Sequence, residues 1–348
     1  MATKSGSGLL EWIAVAAKMK QARSSPEGEI VGGNRMGSGN GAEWTTSLIH
    51  AFLNATNGKS GGASKVRPLE ERIGEAVFRV LEDVVGVDIR KPNPVTKDLP
   101  MVESPVPVLA CISLYLLVVW LWSSHIKASG QKPRKEDPLA LRCLVIAHNL
   151  FLCCLSLFMC VGLIAAARHY GYSVWGNYYR EREPAMNLLI YVFYMSKLYE
   201  FMDTAIMLFR RNLRQVTYLH VYHHASIAMI WWIICYRFPG ADSYFSAAFN
   251  SCIHVAMYLY YLLAATVARD EKRRRKYLFW GKYLTIIQML QFLSFIGQAI
   301  YAMWKFEYYP KGFGRMLFFY SVSLLAFFGN FFVKKYSNAS QPKTVKVE

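Results

Sequence analysis

Charge is scarce in this chain. Of its 348 residues only 18% are Asp, Glu, Lys or Arg, against 54% hydrophobic and 15% aromatic. A water-facing surface needs more charge spread along its length, so an ordinary soluble enzyme is excluded and a polytopic membrane protein is expected. Acidic residues are scarcer still, 23 against 40 Lys and Arg, for a formal net charge of +17. In a soluble protein that excess points to nucleic acid. Here the basic residues gather in the gaps between apolar runs, where they read as topology signals facing anionic lipid, and no nucleic-acid partner is expected. The cysteines are few and poorly placed for cross-linking: Cys111, Cys143, Cys153, Cys154, Cys160, Cys235 and Cys252 lie in or beside apolar runs and make no C-x-x-C pair. Neither a cysteine metal site nor a disulfide framework is expected from them.

What is present divides the chain in three. Residues 1–97 form an N-terminal arm, Gly- and Ser-rich over 24–64, expected to be largely disordered apart from one surface helix in which Leu69, Ile73, Val77, Val80, Leu81 and Val84 recur at helical spacing. The short apolar stretch Leu9–Ala17 is broken by Glu11, which disfavours a cleaved signal peptide. Pro92, Pro94 and Pro100 end the arm. Residues 98–336 carry seven apolar segments of spanning length, at 105–124, 140–167, 186–208, 216–236, 242–268, 278–304 and 315–333. Each can cross a hydrocarbon core that takes roughly 20 helical residues. The fold expected is all-α, with seven transmembrane helices, and residues 337–348 form a C-terminal tail.

Basic residues alternate between the loops. Lys127, Lys132, Arg134 and Lys135 follow the first segment, Arg210, Arg211 and Arg214 the third, Arg269 and Lys272 to Lys276 the fifth, and Lys334 and Lys335 the seventh. The positive-inside rule then puts these loops and the C-terminus in the cytosol and the arm in the lumen. Asn54-Ala55-Thr56 would face sugar transferases under that topology, and Asn338-Ala339-Ser340 would not.

The polar residues inside the segments carry the chemistry, because ionisable groups at membrane depth are costly and mark a working interior. Lys197, Glu200 and Thr204 form one stripe at helical spacing, with Asp203 beside them; His220, His223 and His224 form another on the next segment. The fifth segment places Asn250, His254, Met257 and Tyr261 on a common face, and the sixth carries Thr285, Gln288 and Gln291. His148 and Asn149 are a further polar pair in the second segment. Helix-to-helix hydrogen bonding accounts readily for one imidazole or for the glutamines, and less readily for three histidines within one and a half turns. Lys197 with Glu200 also reads as a neutralised ion pair. Trp231, Trp232 and Trp280, near segment ends, read as an aromatic belt.

Two chemistries suit such a cluster. Histidines at i, i+3 and i+4 can hold part of a metal site, as in membrane di-iron desaturases and hydroxylases, but two irons take about eight or more ligands, and of the chain's eight histidines only His148, His220, His223, His224 and His254 lie inside the apolar segments, so the ligand count fails. The other is acyl transfer: a neutral imidazole attacks a thioester or moves a proton, and polar donors such as Asn250 or Gln288 stabilise an enolate. A non-catalytic lipid transporter is a third reading.

At these residues the chain resembles the ELO-type very-long-chain fatty-acid elongases. K-x-x-E-x-x-D-T stands as Lys197, Glu200, Asp203 and Thr204, and H-x-x-H-H as His220, His223 and His224. N-x-x-x-H-V-x-M-Y-x-Y-Y stands as Asn250, His254, Val255, Met257, Tyr258, Tyr260 and Tyr261, and T-x-x-Q-x-x-Q-F as Thr285, Gln288, Gln291 and Phe292. The resemblance implies an endoplasmic-reticulum enzyme with helices two to seven around an acyl tunnel. It would condense acyl-CoA with malonyl-CoA to 3-oxoacyl-CoA, carbon dioxide and CoA, with no metal or other cofactor. His223 is implied as nucleophile, with His220, His224, His254, Lys197, Glu200 and Asp203 as its catalytic company and Asn250, Tyr258, Tyr261, Gln288, Gln291 and Thr204 as substrate contacts. Leu188–Thr204, Tyr277–Phe292 and Ser173 to Asn177 look most like the polyunsaturated-acyl elongases of mosses and liverworts, which implies a polyunsaturated C18 or C20 acceptor, and the whole chain with its long arm looks most like a liverwort elongase of C20 delta-5 type, which puts that acceptor ahead of C18 delta-6. Implied partners are the ketoacyl-CoA reductase, dehydratase and enoyl-CoA reductase of the elongation cycle, with a homodimer left open.

Overall fold

The structure is a computed structural model and describes residues 67–86, 89–134, 136–267, 270–305 and 310–337. The Gly- and Ser-rich arm and both glycosylation sequons lie outside the described residues, so the expectations attached to them do too.

Helices dominate, and among the described residues there is no strand. In chain order they are α1 (Arg67–Val85), α2 (Pro105–Ala128), α3 (Leu139–His169), α4 (Pro184–Tyr199), α5 (Phe201–Phe209), α6 (Tyr218–Arg237), α7 (Ser243–Val267), α8 (Glu271–Tyr277), α9 (Gly281–Trp304) and α10 (Lys311–Phe332), followed by a wider π turn, Val333–Ser337. Local chemistry sets several starts. Ser104 accepts from the Val106 amide ahead of Pro105 at the first turn of α2, Thr217 accepts from the His220 amide, and Asp270 accepts from Lys272 and Arg273. Each satisfies amides that a helix leaves unpaired at its N-terminus.

Every one of the seven apolar segments is helical, which makes this a multi-span membrane protein. Five stretches are both long and apolar enough to cross a bilayer: Pro105–Ala128, Leu139–His169, Ser243–Val267, Glu271–Trp304 and Lys311–Tyr336. The count of seven is therefore not reached by length and composition. The third segment is interrupted, α4 ending at Tyr199 and α5 starting at Phe201 with Glu200 between them, and α6 carries the three histidines.

Six segments close into a ring. α3 runs along α7, α7 meets α9, α9 runs along α10, α10 meets α6, α6 packs on α4, and α4 returns to α3. α2 stands outside, against α5 and α6. Its contact is a small apolar cluster of Tyr115, Val119, Ile126 and Leu208, with Tyr115 stacked on Phe201. Close approach needs small residues at two seams. A methyl group on Gly162 of α3 would lie 2.8 Å from a Leu189 methyl on α4, and one on Gly281 would lie 2.7 Å from the Tyr260 hydroxyl.

One end of the ring is stitched by the chain between α1 and α2. Asn93 donates from its side chain to the Glu181 carbonyl and the Tyr179 hydroxyl, its amide donates to the Tyr236 carbonyl, and the Thr96 hydroxyl donates to the Cys235 carbonyl. Ile89, Asn93, Thr96 and Val102 are fully buried, so the boundary drawn at residue 97 falls inside a packed stretch. α1 forms where its periodicity predicts, yet Leu69, Ile73 and Val80 point outward and Gly74, Val77, Phe78 and Leu81 face the bundle. The belt reading of Trp231 and Trp232 is wrong. Both are buried, because α4 and α1 cover that end of α6: Trp231 meets Phe193 edge-on, while Trp232 stacks on Tyr236 beneath Phe78. Trp280 instead donates to the Tyr277 carbonyl and packs edge-on against Tyr260.

Candidate active site

The polar residues singled out from sequence come together where α4, α5, α6 and α7 meet, with α3 and α2 closing the sides. The first group is built on the last turn of α4. Lys197 donates to Glu200 at 2.7 Å and to the Asn250 side-chain oxygen at 3.2 Å, and its ammonium lies over the Phe193 ring. His254 Nδ1 is 3.4 Å from the same Glu200 oxygen. Lys197 and Glu200 have side chains 1% and 2% exposed, so this is an ion pair removed from solvent and kept tolerable only by its added partners.

The second group hangs on α5. The Asp203 carboxylate accepts from His148 Nε2 of α3 at 2.8 Å and from the Tyr258 hydroxyl of α7 at 2.9 Å. Thr204 hydrogen-bonds His220 Nε2 at 2.7 Å and Tyr115 of α2 at 3.1 Å. Lys197, Glu200 and Thr204 therefore do not act as one stripe. The helix is interrupted at Glu200, and Thr204 belongs to a different set of neighbours from the lysine and glutamate.

The third group is the histidine box. His220 and His224 lie ring to ring at 4.4 Å, and His223 meets His224 edge-on at 5.3 Å. His224 is buried, with its Nδ1 unpartnered. Of the three, His223 lines a cavity shared with Asn250 of α7 and Gln291 of α9, and His220 and His224 do not line that cavity. From there the cavity runs between α6, α7, α9 and α10, past Ile227, Ile230, Phe292, Phe295 and Leu324, to Trp231, Ile234, Ala302 and Phe313. Helical rise makes the step from His223 to Ile234 about 16 Å. At the far end Asp242, Ser246 and Gln298 form a polar floor: Ser246 donates to Gln298, Gln298 donates to the Asp242 carbonyl, and the Asp242 carboxylate accepts from the Gly176 and Asn177 amides.

Not every expected contact is central. Among the described residues Gln288 reaches only the Met257 sulfur, at 3.8 Å, and Tyr261 is 41% exposed with its ring against Tyr258. Asn149 turns back to the Val145 carbonyl of its own helix. Sequence reasoning passed over Tyr115, whose single hydroxyl in an apolar segment gave no periodic signal. It noticed His148 without a partner for it, because Asp203 lies 55 residues away.

Chemically, the arrangement offers a partly buried imidazole at the head of an apolar slot, with an amide-bearing asparagine and glutamine beside it and a carboxylate-lysine-histidine set nearby. Among the described residues no group of three or more His, Cys, Asp or Glu side chains is disposed to hold a metal ion.

Comparison with known proteins gives consistent matches. The model of the ELO, or GNS1/SUR4, family matches residues 100–344. Very long chain fatty acid elongase 5 of Xenopus tropicalis is 34% identical over 277 residues, covering 78% of this chain and 88% of that protein. The human protein of the same name is 35% identical over 241 residues, covering 68% and 76%. Fatty acid elongase 6 of Leishmania major is 38% identical over 253 residues, covering 70% and 63%.

Proposed function

This chain belongs to the ELO family, and from that membership we propose that it is a fatty-acid elongase, the condensing enzyme that joins an acyl-CoA to malonyl-CoA. The observation that carries the reading is His223 on the wall of a long apolar cavity, which it shares with Asn250, itself held by Lys197 of the Lys197–Glu200–His254 group.

His223 attacks the thioester carbonyl, CoA leaves as its thiolate, and the imidazole N–H proton goes to that sulfur. The acyl-imidazole keeps the fatty chain in the cavity between α6 and α10. Malonyl-CoA then loses carbon dioxide, and the resulting enolate attacks the acyl carbon. The 3-oxoacyl-CoA departs and the imidazolate regains a proton from solvent. Asn250 and Gln291, on the same wall, are placed to donate to the enolate oxygen. Lys197 holds the Asn250 oxygen and so turns its amide N–H group toward the cavity. His220 and His224 orient the box, and Tyr258 with His148 fixes Asp203 behind it. No cofactor beyond the co-substrate malonyl-CoA is part of this route.

The box lies near the end of the ring that carries the 209–217 turn and α8, whose Lys272, Arg273, Arg275 and Lys276 suit a cytosolic face and CoA phosphates. The N-terminal arm is then lumenal, in the endoplasmic reticulum, and the product passes to the reductases and dehydratase that finish the two-carbon extension. The acceptor we favour is a polyunsaturated C20 acyl-CoA of delta-5 type, ahead of C18 delta-6, because the whole chain with its long arm looks most like a liverwort elongase of that kind.

The test is to give the purified full chain labelled malonyl-CoA with saturated, C18 and C20 polyunsaturated acyl-CoAs and to identify products by mass. A 3-oxoacyl-CoA two carbons longer is expected, in greatest yield from the C20 acceptor. An oxygen-dependent desaturated or hydroxylated product, or no covalent product from folded protein, would overturn the reading.

A further inference from the structure

Helix α1 has three faces, and only two of them have an evident neighbour. At about 100° per residue, Gly74, Val77, Phe78 and Leu81 share an arc that packs on the bundle. Glu71, Arg72, Glu75, Arg79, Glu82 and Asp83 share a second arc that is charged throughout, and from it Glu75 and Glu82 hold Arg90 at 3.0 and 2.9 Å. The remaining arc, between these two, is Leu69, Ile73, Ala76 and Val80. It is apolar and, among the described residues, uncovered, with Leu69 59%, Ile73 38% and Val80 60% exposed. A helix bounded only by protein and water needs one apolar face and one polar face. A second apolar face, turned away from the first, calls for a third medium.

The position of α1 says which medium. A methyl on Gly74 would lie 3.9 Å from Pro105, the first residue of α2. Phe78 packs on Trp232 and Tyr236 in the last turns of α6, and Gly86, just past α1, abuts the Arg315 guanidinium in the second turn of α10. α1 therefore crosses the place where three spanning helices end on one side of the bundle. Trp304, ending α9 on the same side, is 84% exposed, as befits a ring at the membrane-water boundary.

We propose that α1 lies in the surface of the bilayer on the side of the 170–183 loop, with Leu69, Ile73, Ala76 and Val80 sunk among the lipids and the Glu71–Arg79–Asp83 face in water. The partner is the lipid surface itself. The charged arc holds four acidic residues against two basic ones, so anionic headgroups contribute no attraction and the contact rests on apolar burial. This gives the part of the arm next to the bundle a task separate from condensation: it fixes the height of the α2, α6 and α10 ends relative to the membrane.

The experiment uses the full chain in phosphatidylcholine nanodiscs, with the seven native cysteines replaced by alanine. Nitroxide labels are placed singly through Leu69→Cys, Ile73→Cys and Val80→Cys, and through Glu71→Cys and Arg79→Cys on the charged arc. Labels at 69, 73 and 80 are expected to collide several-fold more with dissolved oxygen than with a water-soluble nickel chelate, and labels at 71 and 79 the reverse. Should the cysteine-free chain fail to fold, a fluorescent amino acid inserted at the same positions of the native chain, quenched by spin-labelled lipid or by aqueous iodide, reads the same contrast. Equal exposure of both arcs to the aqueous reagent overturns the proposal. So does shielding of 69, 73 and 80 from both reagents, which would mean that residues 1–66 or a second copy covers the strip.

Discussion

His223 and the Lys197–Glu200 pair make opposite demands on a mutagenesis experiment. His223→Ala removes the proposed nucleophile from a cavity wall where a smaller side chain is tolerated. Condensation is expected to fall to background while the protein keeps its elution profile and melting curve; substantial turnover by the variant would move the nucleophile elsewhere. Glu200→Ala instead strands the Lys197 ammonium, 1% exposed, with only Asn250 and a ring face for company. Breaking a buried pair from one side costs about 3 to 5 kcal/mol. The double variant Lys197→Met, Glu200→Ala is expected to melt higher than Glu200→Ala alone, and a lower or equal melting temperature would show that the two are not coupled. The pair was legible from its i, i+3 spacing, since one helix brings both ends together. His148 with Asp203 was not, because spacing within a helix says nothing of which residue on another helix will face it.

At the scale of helices, hydrophobic runs foretold every segment, and they failed in an instructive place. Nothing between Ser196 and Met202 is proline or glycine, so no local breaker announces the interruption at Glu200. It is set by tertiary demand, Glu200 answering Lys197 and His254 while Asp203 and Thr204 answer α3, α7, α2 and α6. The tryptophans failed for a related reason: residue type places a ring near a segment end, and only packing decides whether lipid or protein lies beside it. Helix seams give a sharper prediction. In Gly162→Ala the new methyl meets Leu189, itself 1% exposed and without room to retreat. A loss of about 1 to 3 kcal/mol is expected from overpacking. Gly329→Ala, in α10 with nothing within 4 Å of the added carbon, should be neutral or gain up to about 1 kcal/mol from helix propensity. Thermal unfolding in detergent separates the two, and equal effects would show that the α3–α4 seam has room for a methyl group.

For the whole molecule the testable property is sidedness. The ring puts the 170–183 loop and the starts of α2 and α10 at one end, and α8 and the 209–217 turn at the other. Charge bias among loops reads this orientation because it acts on topology before any packing exists. In a chain carrying Asn54→Gln, a glycosylation sequon inserted at residue 174 is expected to be modified in microsomes and one inserted between Arg275 and Lys276 to stay bare. The reverse pattern would turn the protein over in the membrane and move the proposed CoA face with it. The closed ring of the second to seventh segments was implied by the family resemblance and was not legible in the apolar runs themselves. The apolar runs mark where helices are to be packed, while the order around the ring follows from side chains meeting across them, such as Gly162 against Leu189 or Tyr222 against Ser323.

The spacing of Lys197 and Glu200 also bears on how this protein is made. Most polar partners in the ring are donated by segments far apart in the chain; His148, for instance, waits for Asp203, and Asn250 is synthesised well after the lysine it accepts from. Lys197 and Glu200 sit within one turn of each other, so the third segment emerges from the ribosome already carrying the means to cancel its own charge. A lone lysine or acidic residue at mid-helix adds about 2.5 to 3.5 kcal/mol to the cost of entering the bilayer. Self-pairing lets the segment partition early, as a nearly neutral unit, and hold its place until the later helices arrive to claim the same two side chains.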